Sequence, residues 1–464
     1  MKAEWVCILA GVLISATAAA DDTHYQDFIV GSRAVGLGGA FCAIGDDPSG
    51  LYYNPAGIAE IRHTTLQISA SLYGFEQGAV GGDTASPIPG VGGSDVNLDA
   101  AFSEIIIVPA AFGVAHAFGS EGEDGKRYQS WALSIMVPSY RTYHIVEDTE
   151  TSGSKTGYSR QMTDHTIWTG AGYGRKFSRD FMLGVSAFYK LRIIESLDET
   201  SVTGIPDPDG DMPFWVGSSK VKLFNGSLIF NLGARYKLSD RLSVGASVMP
   251  PSIPVNSGGS FRYDRGISES AAVAGGRSRF LRTELFDLTG DTKVNLQGRI
   301  GAAYIVPATL TVALDVSFFA PVDYTLVNVA DPVLAKALPV VSEVEREFVA
   351  NVNAGFEYLF VPGFSAAVGA FTDFSSAPSV KADKNGQAAG NQLERVHIFG
   401  GTLALGFFSD HTLSRVGVLY AAGSGDAVFP LDRSQWLLGG QTRFDKVEIF
   451  RSFLYAFISG TYRF

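Results

Sequence analysis

The chain has 464 residues, a hydrophobic fraction of 46% and a formal net charge of −11. This acidic balance argues against nucleic-acid binding, because nucleic-acid binders carry basic patches. A soluble chain of this length would divide into about two or three domains, but no linker, low-complexity tract or block of like charge divides this one.

Residues 1–20 have the three parts of a secretory signal. Lys2 supplies the positive charge, an apolar stretch covers residues 5–14, and Ala18, Ala19 and Ala20 precede the expected cleavage point. The apolar stretch is shorter than the roughly 20 residues of a membrane-spanning helix, so cleavage is favoured over a membrane anchor. Removing this segment leaves Cys42 as the single cysteine and excludes an intramolecular disulfide. We therefore expect an exported protein held together by its core or by a closed sheet.

The next segment, residues 21–63, differs in character and is expected to form a small plug, or hatch. Apolar and polar residues do not alternate in it, and glycine is frequent. Asp47-Pro48 and Asn54-Pro55 each place a side-chain acceptor before a proline, a pattern that predicts the N-cap and first residue of a short helix. The glycines are not interpreted as a dinucleotide-binding loop, because no strand precedes them and no βαβ unit follows.

From residue 64 onward, apolar and polar residues alternate with period two, most clearly over residues 64–75, 294–304 and 348–358. About fourteen such segments occur, many near or above the 9–11 residues that a tilted strand needs to cross a membrane. They are predicted to begin near Thr64, Glu104, Ser130, Thr163, Phe181, Lys222, Arg241, Thr292, Thr309, Arg346, Phe364, Arg395, Thr412 and Phe450.

The connections between these segments alternate in length. Short turns are predicted at residues 177–180, 238–240, 306–308, 361–363 and 409–411, and long loops at residues 77–103, 140–162, 196–221, 250–291, 321–345, 375–394 and 423–446. A soluble β-sandwich also alternates apolar and polar residues, but it has no reason to keep this asymmetry of connections. We predict an all-β fold: a transmembrane antiparallel β-barrel of about fourteen strands over residues 64–464, with the hatch plugging its lumen and both termini periplasmic.

The residue pattern of the last predicted strand, residues 450–464, predicts apolar side chains on both faces of the barrel wall. It ends on Phe464, and such a terminal aromatic with alternating apolar positions resembles the tail read by the barrel-insertion machinery. If Phe464 faces outward, then Phe453, Tyr455 and Phe457 face inward. A porin lumen is polar, so these aromatics indicate either an apolar ligand path or packing against the hatch.

Two further features of the wall are candidates for function. On the fifth predicted strand, Lys190 and Arg192 share a face with Phe188, which suits the carboxylate of an amphiphilic ligand. Ordinary ion pairs of these cations with Asp315 or Glu357 are the favoured alternative, because most lumen charges pair. Proline removes a ladder donor, so Pro138 in the third strand and Pro109 in the second predict a gap in the wall, unless Pro138 merely ends the pairing.

The hatch segment resembles the hatch of the FadL/TodX-type family of outer-membrane transporters for long-chain fatty acids and other hydrophobic compounds. The resemblance rests on G-x-R-A-x-G-x-G-G-A-F from residue 31, D-D-P from residue 46 and Y-Y-N-P-A-G from residue 52, and it is greatest to a spirochaete branch. It implies a fourteen-stranded barrel in which ligand is captured from outside, the hatch rearranges, and ligand leaves sideways through a kinked third strand. The hatch and gate residues that it implies are Gly36, Gly38, Gly39, Asp46, Asp47, Asn54, Pro55 and Ala56.

We therefore expect a monomer in the outer membrane that takes up long-chain fatty acids or similar hydrophobic small molecules, with membrane lipid and the insertion machinery as its other partners. No enzymatic activity, cofactor, metal ion or nucleic acid is expected, since the seven histidines are scattered and no HExxH motif occurs. The main alternative is a surface adhesin or a protein-secretion shuttle barrel that uses the long loops. A lipase-type enzyme is a weaker third hypothesis.

Overall fold

The structure is a computed structural model that describes residues 23–26, 28–69, 72–81, 100–108, 111–121, 127–151, 154–204, 214–268, 278–331, 338, 340, 342–384, 386, 388, 392–432 and 443–464. The predicted signal segment and Pro109 lie outside these residues. Within the described ranges, no helix is long and apolar enough to span a membrane.

In the described residues, twenty strands follow three short helical segments. The helical segments are α1 (Ser32–Gly36), α2 (Gly50–Tyr53) and a 3₁₀ helix (Pro55–Glu60). The strands are β1 (Thr65–Ser69), β2 (Leu72–Gly81), β3 (Ala100–Val108), β4 (Ala111–Glu121), β5 (Arg127–Thr151), β6 (Ser154–Lys176), β7 (Phe181–Gly204), β8 (Phe214–Lys237), β9 (Leu242–Met249), β10 (Ile253–Ser268), β11 (Ser278–Leu285), β12 (Gln297–Val306), β13 (Leu310–Phe319), β14 (Val322–Thr325), β15 (Glu343–Arg346), β16 (Val349–Val361), β17 (Phe364–Asp373), β18 (Arg395–Phe408), β19 (Thr412–Asp432) and β20 (Arg443–Arg463).

Eighteen of these strands form one antiparallel sheet that closes on itself, because β1 pairs with β20. Four wall strands are each interrupted once and consist of two segments: β1 with β2, β3 with β4, β9 with β10, and β11 with β12. The eighteen segments therefore make fourteen wall strands, which confirms the predicted barrel. The remaining two, β14 and β15, form a separate hairpin.

As predicted, successive side chains of the wall strands alternate between the outer face of the barrel and the lumen. The outward residues of β8 from Tyr236 to Phe224 are apolar and, apart from Gly226, exposed or half-exposed, whereas Asn225, Ser227 and Asn231 point inward and are buried. At about 3.3 Å per residue and a tilt of about 40°, this stretch rises about 30 Å, the thickness of a bilayer core. On β20, Phe464 is exposed, and the inward position of Phe453, Tyr455 and Phe457 is confirmed.

Several predicted long loops are wrong. Ladder pairing runs through much of residues 140–162, 196–221, 250–291 and 423–446, so that β5 and β6, for example, pair as far as Thr151 and Ser154. These extensions lie beyond the apolar belt, where outward positions such as Glu195 and Lys222 are charged and form an exposed ion pair. The period-two pattern reports contact with lipid rather than strand pairing, and it therefore disappears where the sheet leaves the membrane.

The residues before β1 lie inside the barrel as a plug. Its apolar residues, including Phe28, Leu37, Phe41, Leu51 and Ile58, form one buried cluster with inward side chains of the wall. Asn54 is the N-cap of the 3₁₀ helix and Pro55 its first residue, as predicted. The helix predicted after Asp47 begins later, at Gly50, because residues 48 and 49 form a turn closed by the bond from the Ser49 N–H to Asp47.

A second apolar cluster lies at the long-loop end and was not predicted. Residues 286–296, 321–331 and 342–346, which include the β14–β15 hairpin, fold inward there, and we call them the outer cap. Their apolar side chains, including Leu288, Tyr324, Leu326 and Val344, pack with Trp215 and other inward residues of the extended strands. The lumen is thus filled from both ends, by the plug and by the outer cap.

Candidate functional site

Polar side chains of the inner wall bind the backbone of the plug. The Asp315 carboxylate accepts hydrogen bonds from the N–H groups of Phe41 and Cys42, at 2.8 and 2.7 Å. Plug carbonyls accept hydrogen bonds from Ser130, Ser186, Asn231, Arg235, Ser243, Ser247 and Asn353. Because these donors stand on several strands, the body of the plug (residues 31–60) can leave the wall only if many buried hydrogen bonds break together.

Asn54 lies at the centre of this arrangement. Its amide nitrogen donates to the carbonyls of Cys42 at 2.8 Å and of Ala234, on β8, at 2.9 Å, and its side-chain oxygen accepts from the Ala56 N–H at 3.1 Å. The wall accommodates the Asn-Pro-Ala turn through Gly233, where an added Cβ would lie 2.0 Å from the Asn54 side-chain oxygen. Asn54, Pro55 and Ala56 are therefore brought together, as expected, at a junction of plug and wall.

The three predicted hatch glycines differ in their requirements. Gly38 has φ +61°, and a Cβ there would lie 2.7 Å from the Ala370 backbone nitrogen, so both backbone conformation and space require glycine. Gly39 also has a positive φ, of +87°. Gly36 lies in α1, and a Cβ there would meet its nearest atoms, two alanine methyls of the wall, at 3.4 Å, so its requirement is weaker.

Arg33 joins the plug to the wall through a chain of charges that the sequence analysis did not single out. Its guanidinium contacts Asp46 at 2.8 Å and Glu357, on β16, at 3.1 Å, and Glu357 also binds Arg415, on β19, at 2.7 Å. Burial alone would lower the pKa of Arg33, but the carboxylates of Asp46 and Glu357 outweigh it and hold the pKa above its ordinary value. The signal for Arg33 was present, since it is the arginine of the G-x-R-A motif.

The second predicted acidic residue, Asp47, is internal. Its carboxylate accepts hydrogen bonds from the Ser49 N–H and hydroxyl and from the Gln67 side chain, on β1. Burial and the neighbouring charge of Asp46 raise the pKa of Asp47, and the two Ser49 hydrogen bonds act against them. Asp47 therefore ties the plug directly to the wall, whereas Asp46 pairs within the plug with Arg33, which in turn contacts the wall.

The 3₁₀ helix is attached to the wall by a bond that acid should weaken. Burial acts to raise the pKa of Glu60, but the bond from Lys237 at 2.8 Å and the nearby Arg235 lower it overall. A carboxyl whose pKa is depressed on folding stabilises the fold above its unfolded pKa, which for Glu60 is the ordinary value of 4.5. This contribution is lost as the pH falls through the folded value.

We therefore expect amide hydrogens of residues 55–60 to exchange faster, relative to the barrel strands, as the pH is lowered below the ordinary glutamate range. In Glu60→Gln the same relative protection should be reduced at neutral pH and change little on acidification. Hydrogen exchange followed by mass spectrometry measures both. If the acid-dependent loss of protection persists in Glu60→Gln, a titrating group other than Glu60 causes it.

The segment before α1 links the plug to the long-loop end. The Thr23 carbonyl accepts the Ser376 N–H at 2.9 Å, and the Tyr25 N–H donates to Asp373 at 3.3 Å. The Phe28 N–H donates to the carbonyl of Pro138 at 3.3 Å. We call residues 23–26 and 28–30 the N-terminal segment. It crosses the lumen between the cap side of the barrel and the third wall strand.

Pro138 lies in a bulge of that strand. The register between β5 and β6 shifts between Met136 and Ser139, so the two residues between them are not matched in the ladder. Pairing with β6 continues to Thr151, so Pro138 does not end the third strand. On the other edge, β4 pairs with β5 up to Met136, and no ladder joins the described residues of β3 to β5 beyond it. Hydrogen-bonded pairing between the second and third wall strands therefore ends at the bulge, and we call the unpaired stretch beyond it the seam.

A cavity of about 90 Å³ lies beside the bulge and the N-terminal segment. Lys190 and Arg192 both line it, and we call it the cationic cavity. Arg192 is bound to Asp164 at 2.5 Å, and Lys190 donates to Thr292 at 3.2 Å. The predicted partners Asp315 and Glu357 bind the plug and the Arg33 network instead. The charged lining residues are Arg141, Asp164, Lys190, Arg192, Lys293 and Arg346, so five cations face one carboxylate.

An apolar cavity of about 30 Å³ adjoins the same stretch of β5. Phe453 and Tyr455, two of the predicted inward aromatics, line it together with Phe28, Phe371 and Leu419. Arg141 lines both cavities. The other two predicted ligand-binding aromatics, Phe188 and Phe457, lie elsewhere, in the apolar cluster shared with the plug.

A closed fourteen-stranded barrel with an apolar outer belt and an internal plug bonded to its wall defines a plugged transmembrane barrel of the outer-membrane type. No protein-family model matches the sequence, and no curated protein sequence is similar to it.

Solved structures show where else the fold occurs. A Pseudomonas aeruginosa FadL homologue aligns with 95% of this chain and 100% of its own, at 14% identity and a TM-score of 0.60. The P. putida toluene transporter TodX aligns with 93% of this chain and 97% of its own, at 12% identity and a TM-score of 0.53. The CymD monoaromatic hydrocarbon channel aligns with 94% and 97%, at 11% identity and a TM-score of 0.52. The fold implied by the hatch motif is confirmed, and the resemblance to a spirochaete branch stays a prediction.

Proposed function

We propose that the protein is an outer-membrane uptake channel for amphiphilic anions, with long-chain fatty acids as the first candidates. The observation that carries the proposal is the pair of cavities that share Arg141. One is lined by five cations and one carboxylate, and the other mainly by aromatic and aliphatic side chains. A carboxylate gains charge-assisted hydrogen bonds in the first, and an alkyl chain is removed from water in the second. The similar structures of a FadL homologue and of toluene and hydrocarbon channels support a hydrophobic ligand.

The division of the chain at residues 63 and 64 into hatch and barrel is part of this proposal, as is the monomeric state. Within the hatch, we assign movement to the N-terminal segment rather than to the whole plug. The segment lines both cavities, with His24 and Tyr25 at the cationic one and Gln26 and Phe28 at the apolar one. Its polar bonds to the barrel, which go to Asn295, Asp373, Ser375, Ser376 and the Pro138 carbonyl, use other wall residues than those that hold residues 31–60. A ligand that spans both cavities must displace it. Release of the Phe28–Pro138 bond would then free the seam beside the bulge as a lateral exit.

The test compares the binding of a fatty acid and of the fatty alcohol of equal chain length to the purified protein. We expect the acid to bind at least tenfold more tightly, and Lys190→Gln to remove most of that difference, because a hydrogen bond to a charged group contributes about 1.5–3 kcal/mol. Lys222→Gln, on the outer surface, is the matched control and should bind like the wild type. If neither ligand binds saturably, the proposal fails, and the result favours the alternative of an adhesin or a secretion-shuttle barrel.

A further inference from the structure

The eighth wall strand leaves the barrel wall partway along its length. Its segment at the long-loop end, β11, pairs with β10 from Phe261 to Ser268. Its segment at the short-turn end, β12, pairs with β9 as far as Met249. Between them, residues 286–296 bend into the lumen. There the Gly290 carbonyl accepts a hydrogen bond from Asn225, on β8, at 3.3 Å, and the Asp291 N–H donates to the Thr325 carbonyl at 2.8 Å.

This inward path exposes one edge of β10. Residues 253–258 pair with β8 on one side. On the other side, the described residues provide backbone bonds only at the two ends, between Ser252 and Val294 and between Gly259 and Leu288. Pro254 and Ser257 are matched with the inward residues Ser227 and Asn225, yet both are exposed, whereas Ser227 is fully buried. The wall therefore has an opening at the seventh and eighth strands, well separated in the barrel from the bulge at Pro138.

The opening leads to the cationic cavity. A small cavity is lined at its outer side by Phe224, Ser257 and Gly258, and at its inner side by Arg192 and Thr292. Arg192 also lines the cationic cavity, and Thr292 accepts the hydrogen bond of Lys190. A charged headgroup that passed this way would meet Arg192 first.

The outer rim of the opening faces lipid. Ile253, Val255 and Phe286 are exposed by 53%, 56% and 69%. Phe224 is the last apolar outward residue of β8 before the exposed Lys222, so the opening lies at the upper limit of the apolar belt. This is the level at which the headgroups of outer-leaflet amphiphiles reside.

We propose that this opening is a side entrance through which single-chain anionic amphiphiles dissolved in the outer leaflet reach the cationic cavity. The ligand class rests on the function proposed above, whereas the opening itself does not. The alkyl chain stays against Ile253, Val255 and Phe286 while the anionic group advances towards Arg192 and Lys190. Ligand then has a route from the bilayer that avoids the outer cap.

The opening is tested with three cysteine variants of the full chain in lipid vesicles that contain a phospholipid with a maleimide on its headgroup. Ser257→Cys probes the opening, Ser260→Cys is the outward-facing positive control, and Ser227→Cys is the buried inward-facing control on the neighbouring strand. The native Cys42 is buried, which raises the pKa of its thiol to about 12 and keeps it protonated and unreactive. We expect Ser257→Cys to react within a few-fold of the rate of Ser260→Cys and more than tenfold faster than Ser227→Cys. A rate equal to that of Ser227→Cys would overturn the opening.

Its use as an entrance is tested by filling it with a large side chain. We expect Ser257→Trp to slow the loading of a fatty acid from preloaded vesicles several-fold and to leave its affinity in detergent unchanged, with Ser260→Trp behaving like the wild type. Equal loading rates for Ser257→Trp and the wild type would overturn the entrance. If the wild type binds no fatty acid in detergent, the proposed function fails instead, and the labelling rates still decide whether the wall is open.

Discussion

Glu357→Ala is expected to lower the free energy of unfolding by about 3–5 kcal/mol, the range for removing one partner of a buried ion pair. Glu357 and Arg415 are each only 2% exposed, and Arg33 binds the other carboxylate oxygen. The substitution leaves two guanidinium groups without their shared carboxylate and removes one of the contacts between the plug and β16. Urea unfolding in lipid vesicles, followed by tryptophan fluorescence, measures the loss.

The matched control is Glu195→Ala. Glu195 pairs with Lys222 at 2.7 Å, but the two side chains are 46% and 50% exposed. An exposed pair of this kind contributes about 0–1 kcal/mol. Similar losses in the two variants would show that the buried network does not hold the plug to the wall.

Asn54→Ala is expected to open the plug while the barrel remains inserted. The substitution leaves the buried carbonyl of Cys42, the partly buried carbonyl of Ala234 and the N–H of Ala56 without the Asn54 side chain as partner. Each such group costs about 1–3 kcal/mol, and loss of an N-cap about 0.5–2 kcal/mol. Because partial relaxation offsets some of this, we expect local protection around residues 41–60 to fall by about 2–4 kcal/mol. Ligand uptake should be impaired with it, because the N-terminal segment is anchored on this body.

Hydrogen exchange reports the local effect, and heat-modifiable migration in gel electrophoresis reports insertion of the barrel. Asn54→Ser separates the contributions, since serine keeps a side-chain oxygen suited to the N-cap but removes the amide that donates to both carbonyls. Its loss of protection should be intermediate. Unchanged protection and unchanged uptake in Asn54→Ala would mean that Asn54 does not organise the plug.

The part of the fold in contact with lipid was predictable from the sequence. β7, β17, β18 and β19 begin at the predicted residues, Phe181, Phe364, Arg395 and Thr412. The inward set of β20 was also correct. Lipid forces this regularity, because each outward residue must be apolar and each strand must cross the same thickness.

Features that depend on distant partners were not predictable. Arg33 and Glu357 are 324 residues apart in the chain, and neither position shows which charge it meets. The extended strands and the inward path of residues 286–296 lie where outward residues contact water or leave the wall, so no alternation marks them. Of the candidate site, the inward cations and two aromatics were found from their face of the strand, whereas their division between two cavities depends on the N-terminal segment, which lines both.

The bonds between plug and wall also constrain the order of assembly. The barrel is sealed by its first and last strands, since β1 pairs with β20. The plug directly precedes β1 in the chain, and its Ser32 hydroxyl accepts a hydrogen bond from Ser459, on β20. A folded body of this size does not thread through a completed cylinder, so the N-terminal segment and helices must already occupy the curved sheet when the last strand docks. The final pairing of strands in the membrane therefore encloses the plug, and a chain whose plug folds late would close as an empty barrel.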